Sequence, residues 1–320
     1  MMRFSIVITT YNRLSLLKRA IDSALAQTWP CEVVVVDDCS TDGTEEYVRS
    51  LGDQVIYHRN PVNVGHSASV NAGVEAAQGD WVKPFDDDDY LATTCIEEMV
   101  RAIAGRPQAV LCSCQAIQVD EKEVEVSRTT PCGPGSAFYV PQEDVHYGML
   151  LELLPFGTPI QVAFQRQGFL ESGGWDSTLD TNCDDIDSWI KIAQYGDAIF
   201  INKYLAYRTV WPGAYNYKFP LQKRLETNIL LKEKIHPLVA PKHRASLPKL
   251  QDTRNFLKLH WSLVGLKQGK IMTALQIAYP AIFSPVAWQF FARVTYARRI
   301  SHQNQSIRQE AIPEVATLQV

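Results

Sequence analysis

The chain has 320 residues, 46% hydrophobic and 21% charged, with a formal net charge of −4. That length suits one large domain, or one domain with an appendage, of ordinary globular composition. A general nucleic-acid-binding role has no electrostatic support. The charge is uneven: residues 1–250 carry 23 basic and 32 acidic side chains, whereas 251–300 carry seven basic residues against Asp252 alone. Two different surfaces are expected. Seven cysteines, an odd count without framework spacing, point to free thiols in a reducing cytoplasm. The opening "MMRFSIVITTYN" reads as a buried strand and not as a secretion signal.

The first predicted strand is Phe4–Thr9. Arg13–Gln27 follows as a helix, with Leu16, Leu17, Ala20, Ile21, Ala24 and Leu25 on one stripe. "CEVVVV" (Cys31–Val36) is apolar on both faces, as in a parallel sheet covered by helices. "STDGTEEYVRSL" opens with a cap residue and continues as a helix. A strand over Gln54–Arg59, a helix over Ser67–Gln78, a strand over Trp81–Phe85 and a helix over Ala92–Ala104 complete the alternation. This pattern predicts a doubly wound α/β sheet. Beyond about residue 110 it changes: Ala109–Asp120 reads as a strand pair or one long bent strand, and Asp120–Ala137 as a charged, then Gly/Pro-rich excursion. Ile160–Arg166 reads as strand, Asp185–Tyr195 as helix and Ala198–Val210 as two short strands. From Leu221 onward only helical patterns remain.

Open α/β sheets bind ligands at the carboxyl ends of their strands. Three such ends are polar here: "TTYNR" (Thr9–Arg13), "DDCSTD" (Asp37–Asp42) and the four consecutive aspartates of "WVKPFDDDDYL". The second motif suits helix capping equally well. No G-x-G-x-x-G follows the first strand and no G-x-x-x-x-G-K-[ST] occurs, which disfavours a dinucleotide dehydrogenase or a P-loop enzyme. Four adjacent carboxylates repel one another, so either water on an exposed loop or a cation in a site must offset them. Set between a buried strand and a helix, the cation is the better reading. Hard Mg²⁺ or Mn²⁺ takes one or two protein carboxylates plus substrate phosphates.

The ordered set "SIVITTYNR", "VVVVDDCSTDGT", "NVGHSASVNAGVEAAQGDWV", "FDDDDYL", "VAFQRQGFLESGGWD" and "NCDDIDSWIKIA" resembles glycosyltransferase family 2 over about residues 4–210. These are inverting nucleotide-sugar transferases of the GT-A fold. The resemblance implies an α/β, Rossmann-like domain with a mixed, mainly parallel sheet over residues 1–215, with a donor half (about 1–110) and an acceptor half (about 111–215). A C-terminal helical extension occupies 216–320. It further implies a metal-dependent transfer from a nucleoside-diphosphate sugar, UDP favoured and dTDP or GDP as alternatives. The acceptor is a hydroxyl of a glycan or a lipid-linked sugar of a bacterial-type surface glycan. The implied location is cytoplasmic, extending to the inner face of the cell membrane.

By position, Thr9 and Tyr11 line the nucleotide pocket, Asp38 meets the base edge and Asp87 reaches the ribose. Asp86 and Asp88 match the D-x-D aspartates, with Asp88 the favoured ligand of Mn²⁺ or Mg²⁺; Asp89 is left to cap the next helix. Asp184 and Asp185 match the family's acidic pair, with Asp185 as the base that takes the acceptor proton. The bland reading is that they open a helix, where negative charge suits the dipole. Gly174, Trp175 and Asp176 border the acceptor, with Trp175 either a sugar-stacking platform or a core residue.

Two positions depart from the family pattern: Val70 stands where many members carry arginine, and Val210 where many carry histidine. Arg13, His66 and Arg208 are the substitutes for the diphosphate contacts, and His66 alone reads as a surface residue. Two rival functions stay open. One is a catalytically silent GT-A module that binds a glycan or nucleotide sugar. The other is a sugar nucleotidyltransferase, disfavoured because its glycine-rich N-terminal loop is missing.

Ile271–Ala292 holds no charged residue over 22 positions, enough to span a bilayer. Pro280, Pro285, Gln276 and Gln289 argue against a simple spanning helix. Lys267 and Lys270 before it, with Arg293, Arg298 and Arg299 after it, suit peripheral contact with anionic lipid. The alternative is an appendage packed on the catalytic domain or on a second subunit of a homo-oligomer.

Overall fold

A computed structural model describes residues 2–154, 156–179, 183–211, 219–299 and 306–313, with residues 293–299 described by backbone alone. The first half alternates as expected: β1 (Phe4–Thr10), α1 (Leu14–Leu25), β2 (Cys31–Asp37), α2 (Thr44–Ser50), β3 (Ile56–Arg59), α3 (His66–Ala76), β4 (Trp81–Asp86), the two-residue β5 (Tyr90–Leu91) and α4 (Cys95–Ala104). Then come β6 (Ala109–Val119), β7 (Glu125–Arg128), β8 (Ala137–Val140), α5 (Gln142–Leu150), β9 (Val162–Gln165), α6 (Arg166–Glu171), α7 (Asp184–Ile192) and β10 (Asp197–Thr209). The chain closes with α8 (Leu221–Ile235), α9 (Leu250–Lys267), α10 (Ile271–Ala278), α11 (Pro285–Arg299) and β11 (Glu310–Ala311).

These residues form two compact units: Met1–Val140, Phe156–Pro212 and Gln309–Val320 make the first, and Pro141–Pro155 with Gly213–Arg308 the second. The domain boundary expected at 215 falls outside the described residues.

The first unit is built on a mixed sheet of order β11-β8-β10-β6-β9-β4-β1-β2-β3, with β5 on β10 and β7 on β6. β3, β2, β1 and β4 are parallel neighbours. Antiparallel β9 links β4 to β6, and β10 lies parallel to β6. The carboxyl ends of β1, β2, β4 and β10 therefore open on one edge. β1 is buried along its whole length and β2 along its last five residues, because helices cover both faces. α1 turns Leu17, Ala20, Ile21 and Ala24 inward, and each fully buried Leu or Ile contributes about 1.5–3 kcal/mol. α3 lies close on β1 and β2 through Gly73, where a Cβ would come within 2.4 Å of Val7 and 2.8 Å of Val36.

Of the two readings of Ala109–Asp120, the single long strand holds, as β6. Four other local expectations change. The two short strands expected over Ala198–Val210 are one, β10. Its pairing with β6 is irregular around Ile201–Tyr204, where Asn202 and Lys203 interrupt the apolar pattern that suggested two strands. The charged excursion holds β7, exposed at all four residues. α5 was not anticipated: seven of its nine residues are buried, so no polar stripe marks the helical period. The last stretch is not purely helical, because β11 pairs with β8.

In the second unit α9 is the central helix, with Phe256, Leu257, Leu259 and Trp261 buried. Ser262 Oγ donates to the carbonyl of Ala274 at 2.9 Å, and Phe256 packs tilted against Phe290 at 4.7 Å between centroids. Among the described residues no helix is long and apolar enough to cross a membrane.

Candidate active site

The chain leaves β1 toward β2 and β3, then returns on the other side of β1 as β4, so the sheet's switch point lies between the ends of β1 and β4. Parallel register sets Thr9 beside Asp86 there. Thr9 Oγ1 lies 3.4 Å from Asp86 Oδ1, and Thr10 Oγ1 donates to Asp87 Oδ2 at 2.7 Å. Tyr11 is half exposed just beyond β1. Arg13 Nη1 reaches both Asp87 (3.2 Å) and Asp88 (3.3 Å).

At the end of β2 the two aspartates do different work. Asp37 is fully buried and accepts from the Ser40 N–H (2.8 Å) and the Tyr57 hydroxyl (2.7 Å). Asp38 accepts from Asn60 Nδ2 (2.9 Å) and from the backbone N–H of Val64 (2.8 Å) and Gly65 (3.0 Å). With these three bonds Asp38 holds the loop before α3. The capping role falls to Asp42, which accepts from the N–H of Thr44 and of Leu14.

The four aspartates divide. Ligand oxygens of Asp86, Asp88 and Asp89 lie within 4.8 Å of one another. Asp87 points instead to Thr10 and Arg13, and burial pushes its carboxyl up to about 7 against their pull. Burial, then Asp86, raises Asp88; burial, then Asp88 and Asp86, holds Asp89 well above the ordinary carboxylate range. Asp89 does not cap α4; it accepts from the Thr209 N–H at 2.8 Å, which ties the cluster to the end of β10. Three converging acceptors, of which Asp88 and Asp89 resist ionising beside Asp86, fit a hard divalent cation.

His66, the first residue of α3, is not a detached surface residue. Its Nε2 lies 2.6 Å from Asp86 Oδ1, and its Nδ1 3.7 Å from Asp184 Oδ2. Burial works against the imidazolium, yet the two carboxylates hold its pKa well above 6.5. The same cation keeps Asp86 below its ordinary value although burial opposes it. Ser67 Oγ donates to Asp184 Oδ2 at 2.7 Å. Asp184 and Asp185 open α7 with Asp187, which pairs with Lys191 at 3.0 Å. Burial, reinforced by Asp184, pushes Asp185 up to about 7; its bond from the Ile186 N–H, then Arg208 and His66, pull the other way. Arg208 is half-buried on β10, and its charge also acts on Asp89.

Trp175 does not present an open stacking face: it is 2% exposed, packed edge-on to His66 and Trp189. Asn71 holds its backbone with two bonds, accepting from the Trp175 N–H (2.8 Å) and donating to its carbonyl (3.0 Å). Gly174, at φ +67°, gives its carbonyl to Lys191, and Asp176 caps Thr178 through its N–H (3.0 Å) and hydroxyl. The loop thus supports His66 from behind.

Three contributors escaped the sequence reading. Trp211 Nε1 donates to Asp88 Oδ2 at 3.3 Å and lies under the Arg13 guanidinium at 5.6 Å. Arg19 donates to the Asp88 carbonyl at 2.5 Å. Ser67 completes the set. Trp211 had a usable signal, because "YRTVW" ends a strand on the same sheet edge.

The description "Glycosyl transferase family 2" matches residues 5–171, just over half of the chain. The succinoglycan biosynthesis protein ExoO of Rhizobium meliloti is 35% identical over 123 residues, 38% of this chain and 35% of ExoO. The chain spans between about a third and just under two thirds of the length of the curated relatives it matches first. Among solved structures, S. aureus TarS 1-349 superposes with a TM-score of 0.61 at 19% identity, covering 93% of this chain and 92% of that one; TarS is also known in complex with UDP-GlcNAc. The mannosyltransferase PcManGT of Pyrobaculum calidifontis, solved with GDP-Man and Mn²⁺, gives 0.57 at 22% identity, covering 92% and 80%. The fold is GT-A with a helical C-terminal region, and the chain belongs to glycosyl transferase family 2.

Proposed function

We propose that the protein transfers a sugar from a nucleoside diphosphate to an acceptor hydroxyl with inversion. The observation that carries this reading is the joining of two acidic groups through one imidazole, Asp86–His66–Asp184, at the switch point of the sheet. One group suits a diphosphate-bound cation and the other a base.

Asp185 receives the acceptor proton; a carboxyl near 7 is matched to that task at neutral pH. His66 and Ser67 fix Asp184, and through it the start of α7 that carries Asp185. Thr9, Tyr11 and Asp38 line the donor nucleotide, and Asp87 and Arg13 form the floor beside it. Arg208 and His66 place positive charge where the diphosphate departs. Asp86, Asp88 and Asp89 would hold Mn²⁺ or Mg²⁺, which when bound neutralises the leaving diphosphate. Gly174, Trp175 and Asp176 act on the acceptor side as support for His66.

The donor is a UDP-sugar, with GDP and dTDP sugars as alternatives; the TarS and PcManGT complexes support both UDP and GDP chemistry on this fold. Surface-polysaccharide assembly from a glycan or lipid-linked acceptor, in the cytoplasm, is supported by the ExoO likeness and the free thiols. A thermal-shift panel of UDP, GDP, dTDP and CDP with and without Mn²⁺ tests the reading. A nucleotide at a hundred times its Kd stabilises by about 2.7 kcal/mol. One nucleotide acting only with metal, and not in Asp88→Asn, is the expected result; no shift with any of them overturns it.

A further inference from the structure

The helical unit carries an apolar surface that the transfer reaction does not use. Of the twenty large apolar side chains exposed among the described residues, nine lie within residues 266–288. α10 buries Ala274, Ile277 and Ala278 against its own unit, yet its outer side is apolar too: Met272 is 72% exposed and Leu275 55%. Tyr279 (69%), Phe283 (75%) and Val286 (48%) continue the surface through the turn into α11. The turn is held in shape, with Trp288 Nε1 donating to the Ile282 carbonyl at 2.9 Å and Tyr279 edge-on to Phe283. A helix that is apolar on its outer side as well as its inner one, as α10 is but for Thr273 and Gln276, is ordinarily buried, and an exposed apolar patch marks a docking surface.

Charge identifies the occupant. No acidic residue occurs from Thr253 to Gln309, while Arg254, Lys258, Lys267, Lys270, Arg293, Arg298, Arg299 and Arg308 do. Lys267 and Lys270 are exposed at the start of the patch. A second copy paired through the same segment would set Lys267 and Lys270 against the same two lysines, with no acidic residue between Thr253 and Gln309 to offset them. An anionic bilayer offers acyl chains to Met272, Leu275 and Phe283, headgroup phosphates to the lysines, and the polar–apolar boundary that Tyr279 and Trp288 suit. No described helix crosses a membrane, so the surface lies on the bilayer. We infer that residues 266–288 form a peripheral docking surface for an anionic lipid membrane.

Sedimentation of the full chain with vesicles tests this, using phosphatidylcholine alone and phosphatidylcholine mixed with phosphatidylglycerol. Binding to the anionic vesicles, weakened by salt, is expected. Met272→Ser with Phe283→Ser lowers the affinity about tenfold or more, and Lys267→Gln with Lys270→Gln about thirtyfold. All four side chains are exposed, so both variants keep the parent's melting temperature. Absence of binding, equal binding to neutral vesicles, or a serine variant that binds like the parent overturns the proposal. So does light scattering that shows a dimer which the serine variant dissolves.

Discussion

His66 Nε2 stands 2.6 Å from Asp86 Oδ1, the first residue after the buried part of β4. On its other side the same ring approaches Asp184 at 3.7 Å, so a single cation serves both acidic groups. Replacing it by alanine removes positive charge beside Asp86 and the brace on Asp184. His66→Ala should therefore bind Mn²⁺ more tightly while turnover falls about a hundredfold, the scale of a misplaced catalytic group. Titrating Mn²⁺ by thermal shift, alongside initial rates, separates the two effects. Unchanged turnover and an unchanged metal midpoint would sink the bridging role.

Asp185 links activity to stability with opposite signs. Its folded pKa of about 7 lies above the ordinary 3.8, so the folded chain binds more protons between those values. Stability then falls as pH rises through that window, while the rate of a base-dependent transfer rises with a midpoint near 7. Asp185→Asn should lose about 10²–10⁴-fold in kcat. It should also gain on the order of 1 kcal/mol in stability above neutral pH, since it removes a carboxylate crowded by Asp184. Urea unfolding at pH 5 and pH 8 checks this: the gain should shrink at the lower pH.

The parallel half was legible because β1 and the end of β2 are apolar on both faces and α1 and α4 each carry one apolar stripe. α5 was not, since burial on nearly every side erases the helical period. β10 was split in two by Asn202 and Lys203, polar residues at the irregular part of its pairing. For the site, the polar strand ends carried the sequence reading to the right sheet edge. The partners did not show, because they are set by tertiary contact: His66 meets Asp86 across 20 residues of sequence, and Ser67 meets Asp184 across 117. Trp175 could be either platform or core on sequence alone, and only the rings of His66 and Trp189 against it decide for burial.

Asp88 is raised by burial and by Asp86, so at neutral pH its charge costs the folded chain stability. Asp88→Asn should raise the melting temperature of the metal-free protein and abolish the further rise that Mn²⁺ gives the parent. Calorimetry with and without Mn²⁺ reads both. A variant less stable without metal than the parent would mean that the bonds from Arg13 and Trp211 outweigh the repulsion.

Gly174 and Gly173 are adjacent and both left-handed, at φ +67° and +84°, yet their surroundings differ. A Cβ at Gly174 would sit 2.6 Å from Asn71 Oδ1, the acceptor for the Trp175 N–H. At Gly173 nothing lies within 4 Å. Gly173→Ala therefore costs only the backbone strain, about 1 kcal/mol. Gly174→Ala adds a collision that displaces Asn71, for about 2–3 kcal/mol in all. Because Asn71 sets the backbone behind Trp175, and Trp175 packs on His66, only the Gly174 change should also lower turnover. Urea midpoints at constant m-value give the energies, and the rates of the two folded variants show whether the strain reaches the site. Equal losses of activity at the two positions would mean that the loop acts through its general rigidity and not through the Asn71–Trp175 bonds.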